Sequence, residues 1–314
     1  MATGPVYADC QFGQDYPTDL RCFLNQFGGS QCYDSYFGFS GPPNFSEALQ
    51  CFENNKIWSY LVVMYLNGQG GPRDVQKAEQ WFATGQKMAP IEWPGGLSGG
   101  EVSSLKQNIE KARSTSDKDW DPIDLCSDVF VLDTRETQYC TAIRELVSER
   151  QFSEMLASTR TELDSADKSI FDRVIASFKA YQEADTKRAY LAWAGGTIAS
   201  MRSMDQAGFL RDDFAALVKK TVQKRELEPA DKIAYSAADQ VLNQTYREDL
   251  QGGSSEYKKS ARIAELHWIR YRDGWAELAT ALFSDRKKDP DPAMSMKTAL
   301  SKVRVNELLH ARQP

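Results

Sequence analysis

Along the second half of the chain, apolar positions return every three or four residues. Ala264, Trp268, Tyr271, Trp275, Leu278 and Leu282 step by 4, 3, 4, 3 and 4. That spacing predicts the seam of an antiparallel helical bundle. Val174, Phe178, Tyr181 and Ala184 repeat the stripe earlier in the chain. Upstream the pattern is patchier. Helices are expected over 44–55, with Ala48, Leu49 and Phe52 on one face, then over 57–66, over 75–88 behind an N-cap at Asp74, over 101–114 and over 136–157. Residues 1–43, rich in Gly, Pro, Tyr, Phe and Cys, predict loops with one short helix near 17–26. A loop carrying Trp93 is expected over 90–100 and a polar linker over 115–124, while strand-like alternation is confined to 128–132. The expected fold class is all-α, with disulfide-tied helical hairpins followed by antiparallel helical bundles. The expected domains are 1–120, 121–230 and 231–314.

Composition narrows the class. The chain of 314 residues is 41% hydrophobic and 26% charged, enough to bury a core. Its best apolar run, 60–66, falls far short of the roughly 18 residues of a membrane span. A net charge of −6 argues against a general nucleic-acid binder. The charge is uneven: residues 1–150 hold 12 Lys+Arg against 20 Asp+Glu, and residues 151–314 hold 26 against 24. An acidic first half serves solubility, or draws in a basic partner.

All six cysteines, Cys10, Cys22, Cys32, Cys51, Cys126 and Cys140, lie in the first half. A structural zinc site fits poorly, because no C-x-x-C pair exists and both histidines, His267 and His310, are distant. Free buried thiols and a disulfide set remain. Pairing sequential neighbours as Cys10–Cys22, Cys32–Cys51 and Cys126–Cys140 closes short loops, each worth about 3 kcal/mol in the chain-entropy model. Disulfides imply an oxidising compartment. The first twenty residues lack a basic start and an apolar core. Both facts fit a mature periplasmic or secreted chain on which Met1 is an added start.

Two resemblances bear on function. Residues 58–86 resemble a Sel1-like repeat through Tyr65, Gly68, Gly70, Gly71, Asp74, Lys77, Ala78, Trp81 and Phe82, and 45–52 read like the second helix of a degenerate earlier unit. This resemblance implies a helix-turn-helix solenoid unit and a protein-binding surface. Further along, 237–246 with Leu242, Asn243 and Tyr246, 267–275 with Trp268, Tyr271 and Trp275, and the late Arg304 and Leu308 together resemble the LprI-like lysozyme-inhibitor family over 237–311. The family often carries cysteines in and after its second helix. This segment has none, and Trp275 stands near one such position. Residues 176–184 echo the Trp268 helix at an offset of 90, with Gly195, Gly196, Thr197 and Arg211 following. Residues 153–222 are thus either a degenerate first copy or helices of similar composition.

The aromatic residues of the motif are expected in the core. Arg272 and Asp273 face away from it, as a solvated ion pair or a partner contact. Asp239 and Asn243 are expected at a helix start, and Arg211 and Arg304 as carboxylate-bound ties at the bundle ends. No catalytic constellation is found: neither histidine has a nucleophile at suitable spacing, and the metalloprotease, nucleophile-elbow and phosphate-loop motifs are missing. Gly195-Gly196 and Gly252-Gly253 read as turns. No metal and no cofactor are expected. The family resemblance implies a non-enzymatic inhibitor of lysozyme or a related peptidoglycan hydrolase, acting by a rigid helical surface or an inserted loop. The loop candidates are 251–256 and 285–292, the latter with Asp285, Arg286, Lys287 and Lys288. Lysozymes are often basic, so the acidic half would steer the encounter. The alternatives are a Sel1-type interaction scaffold or immunity protein for a secreted toxin or envelope machine, and a cell-wall enzyme whose acidic pair is not legible in sequence.

Overall fold

The computed structural model describes residues 30–87, 99–130, 134–196, 198–284 and 291–311. Among these residues every regular element is helical. The chain divides into two compact units, Met1–Arg150 and Gln151–Pro314.

In the first unit the helices are α1 (Ser30–Phe37), α2 (Phe45–Asn55), α3 (Trp58–Asn67), α4 (Val75–Lys87) and α5 (Gly99–Ser114), followed by a π-turn at Leu125–Val129 and the start of α6 (Thr134–Glu162). The expected helices at 44–55, 57–66, 75–88 and 101–114 thus appear within two residues of their ends. Asn44 caps α2 by accepting from the Glu47 amide at 3.3 Å, and its side-chain amide donates to Glu47 Oε2 at 3.1 Å. Asp74 caps α4 through the Lys77 amide at 2.9 Å. Helix α3 is buried on every side from Trp58 to Leu66, so it forms the axis of this unit. Tyr33, Phe52 and Tyr60 pack edge to face and stacked around it.

Three expectations change here. Helix α1 stands where loop was expected; its buried Cys32, Tyr33 and Tyr36 give it a core face too short to stand out among the surrounding Gly and Ser. Of the alternation expected at 128–132, the described residues 128–130 are not a strand: they are the end and the C-cap of the π-turn, whose N-cap Asp124 accepts from the Cys126 and Ser127 amides. Residues 115–124 are not a loose linker. Trp120 is buried under the Arg73 guanidinium, 4.7 Å from the ring centre. Arg73 also donates to the carbonyls of Leu66, Ala112 and Thr115, joining the ends of α3 and α5. Asn67 pairs with both backbone groups of Ile123. The short helix expected at 17–26 and the loop at 90–100 lie wholly or largely outside the described residues.

The α3–α4 hairpin needs two close approaches. Gly70 (φ +84°) lies so near α2 that a Cβ would stand 2.5 Å from the Phe45 carbonyl oxygen. A Cβ on Gly85 would stand 2.0 Å from the Trp58 ring. Ala78 is fully buried in the hairpin, whereas Trp81 and Phe82 are half-buried.

The second unit contains the end of α6, α7 (Ser165–Ala192), α8 (Ala199–Leu217), a π-turn at Val218–Gln223, α9 (Lys232–Leu250), α10 (Ser255–Leu282) and α11 (Pro292–His310). Acidic or hydroxyl caps start four of them: Asp164, Asp231, Ser254 and Asp291. Helices α7 and α10 have 28 residues each and begin 90 residues apart. They pack antiparallel: Arg173 meets Glu277, Tyr181 stacks on Tyr271, and Arg188 reaches Tyr257. Their burial runs in step. Residues 171–179 and 261–269 share one sequence of buried, half-buried and exposed positions, and so do 181–189 and 271–279.

Candidate functional site

The motif residues of the second unit are mostly core. Trp268, Tyr271 and Trp275 are almost fully buried in a cluster with Phe171, Val174, Phe178, Tyr181 and Phe214. The α10 seam is as expected. On α7 the stripe turns through Asp185, which is fully buried, and not through Ala184, which is half-exposed. Leu242 of α9 is buried in the same cluster, Tyr246 is half-buried against it, and Leu308 of α11 is fully buried. Asp239 and Asn243 are not at a helix start. Helix α9 begins at Lys232, behind the cap Asp231, so both lie mid-helix, bonded to each other at 2.9 Å.

A charged network is set into this core. Asp185 receives the Arg188 Nε at 2.8 Å and lies 3.0 Å from Arg304 Nη2. Arg188 also reaches Asp249 at 3.3 Å and the Tyr257 hydroxyl at 3.2 Å, and Tyr257 donates to Asp249 at 2.7 Å. Arg304 extends to Glu265 at 3.3 Å and Glu307 at 3.5 Å, and the Tyr181 hydroxyl donates to Glu307 at 2.5 Å. Gln206 of α8 donates to Asp185 at 2.8 Å. Asp185, Arg188 and Arg304 have no solvent-exposed side-chain surface. Four helices, α7, α9, α10 and α11, therefore meet through one set of paired charges, and α8 joins it through the Gln206 amide.

Electrostatics follow from that geometry. Burial alone would raise the Asp185 carboxyl, yet Arg188 and Arg304 hold it below the ordinary carboxylate range. Glu307 is pushed up to about 7 by burial, against the opposing pull of Arg304 and the Tyr181 hydrogen bond. Asp213 rises to about 6 through burial and its neighbour Asp212. Such a network fixes helix register. The carboxylates face arginines across helix interfaces and do not converge on an open cleft. Among the described residues no group of His, Cys, Asp and Glu has the geometry to hold a metal.

Arg304 is a carboxylate tie as expected, but in the middle of the core and not at a bundle end. Asp185, Arg188, Asp249 and Glu307 were not anticipated. The signal for them was present: an Asp and an Arg on the α7 stripe, three apart, at positions where α10 carries Trp275 and Leu278. Arg272 and Asp273 pair with each other at 2.9 Å, Lys297 joins Asp273 at 3.2 Å, and the Arg272 guanidinium lies over Trp268. Asp285, Arg286, Lys287 and Lys288 lie outside the described residues. In the first unit the disulfides Cys32–Cys51 and Cys126–Cys140 are formed, joining α1 to α2 and the π-turn to α6. The expected pair Cys10–Cys22 lies outside the described residues.

No curated protein and no solved structure matches the chain. A family match exists for the C-terminal part, and it does not cover residues 58–86, where a Sel1-like repeat was expected. It spans α9 and α10, most of α11 and the end of the π-turn before them, including Trp268, Tyr271, Trp275 and Arg304 but not Arg188 or the aromatic residues of α7 and α8: residues 221–308 match the family described as Lysozyme inhibitor LprI.

Proposed function

We propose that the chain is an exported protein that inhibits lysozyme or a related peptidoglycan hydrolase by covering its cleft. The family match over 221–308 carries this conclusion. The core supports it: the motif's aromatic and charged residues are used to hold helices together, which leaves the outer surface for recognition. Two disulfides favour an extracellular or periplasmic setting, and no described helix is long and apolar enough to cross a membrane. Residues 153–222 act as a degenerate first copy of the unit at 231–314, supported by the matched burial of α7 and α10. The partner is a protein, and the acidic first half speeds its approach when it is basic.

Titration of the purified chain into a lysozyme turbidity assay tests this function. Lysis should slow in proportion to added protein; unchanged lysis at molar excess across a panel of lysozymes would reject inhibition. The α3–α4 hairpin, with its glycine-dependent close contacts, favours a second reading as a Sel1-type scaffold or immunity protein for a secreted toxin or envelope machine. A stable complex with one such non-hydrolase partner, with no effect on lysis, would select that reading.

A further inference from the structure

Helices α7 and α10 offer an internal comparison at solvent-facing positions. Ile263, Leu266 and Ile269 of α10 are 44%, 61% and 37% exposed. The positions 90 residues earlier on α7 are Arg173, Ala176 and Lys179, which are exposed as well. The fold therefore accepts polar or small side chains here, and packing does not explain the three large apolar ones. Elsewhere in this unit, Ile233 and Val241 on α9 and Leu309 on α11 are further exposed apolar residues, with no third on either helix.

Exposed charges lie on both helices. On α7 they include the ion pairs Arg160–Asp172 at 2.8 Å and Arg173–Glu277 at 2.5 Å, the latter shared with α10, and exposed Lys179 and Lys187, which are in no ion pair among the described residues. On α10 the apolar stripe is flanked by exposed Lys259, Arg262 and Arg270, and among the described residues none of the three is in an ion pair. A second copy is a poor occupant. Antiparallel pairing centred on Leu266 would set Arg262 against Arg270.

We propose that the solvent face of α10, Ile263, Leu266 and Ile269 with Lys259, Arg262 and Arg270, docks into the substrate cleft of a glycan-cleaving hydrolase. Such a cleft presents paired carboxylates at the scissile bond and apolar walls on either side. It therefore complements a cationic helix face with an apolar centre. This assignment rests on the proposed inhibitory function and adds the surface that performs it. The matching face of α7 is not part of the contact.

The test compares the full-length chain with three variants: Leu266→Glu, the double variant Arg262→Glu/Arg270→Glu, and Ala176→Glu at the matching position of α7. All replace exposed residues, and circular dichroism melting checks that each is folded. Inhibition is titrated against purified lysozymes. Leu266→Glu and the arginine pair should each weaken inhibition at least about tenfold, while Ala176→Glu stays within about twofold of wild type. Wild-type affinity should also fall as salt rises. Wild-type inhibition that survives both α10 changes overturns the docking face and leaves the inhibitory function standing. A wild-type chain that inhibits none of the enzymes removes both.

Discussion

Asp185 occupies on α7 the position that Trp275 holds on α10, and both side chains are fully buried. A buried carboxylate persists there because Arg188 and Arg304 approach it from two helices. Asp185→Ala would leave two arginines buried without that partner. It should cost about 3–5 kcal/mol, read from urea unfolding of wild type and variant. Glu307 gives the opposite pH dependence. Its carboxyl is raised from 4.5 to about 7, so the native state binds a proton that the unfolded state releases. That contribution is fully present below about pH 4.5 and lost as pH rises through about 7. Glu307→Gln should therefore flatten the melting temperature between pH 5 and 7.5 relative to wild type, while the slope due to Asp213 remains. An unchanged slope would show that Glu307 does not titrate in this window. Arg304 and the aromatic stripe were legible from the sequence because helical spacing marks them. Glu307, three residues on along the same helix, is a local i,i+3 partner, whereas Asp185 and Glu265 were not legible, since they come from two other helices whose pairing no local pattern encodes.

At the scale of elements, capping residues and breaks set the helix ends, and these were readable. Asn44, Asp74 and the glycine-rich turn at 68–71 place α2, α3 and α4 to within two residues. Helix α1 and the anchored segment at 115–124 were not readable, because long-range contacts hold them: the Cys32–Cys51 bond for one, Arg73 and Asn67 for the other. Gly85 shows how tight the α3–α4 hairpin is. Its Cβ would enter the Trp58 ring, so Gly85→Ala should destabilise the first unit by about 1–3 kcal/mol, measured by chemical denaturation. A gain in stability, as helix propensity alone would give, would mean that Trp58 moves aside freely.

For the whole molecule, the division of labour between cross-links and core makes a separable prediction. The described disulfides lie in the unit ending at Arg150, and the buried charge network lies in the unit beginning at Gln151. Hydrogen exchange with reductant should lose protection in α1, α2 and the π-turn at Leu125–Val129, with α7 to α11 little changed. Equal loss in both units would show that the second depends on the bridges of the first. The all-α class and the C-terminal family resemblance were visible at this scale because aromatic helices have a strong period. The charged core was hidden, since it depends on side chains brought together from distant parts of the chain.

The stepwise match of α7 and α10 has a practical consequence for anyone trimming the protein. Each of these helices serves as the other's cover, much as two identical subunits do in a two-fold dimer, but the linkage makes their association unimolecular. A fragment restricted to 231–314 would bare Ala264, Trp268, Tyr271 and Trp275. It should recruit a twin to hide them, and light scattering would find it in more copies per particle than the intact chain measured alongside.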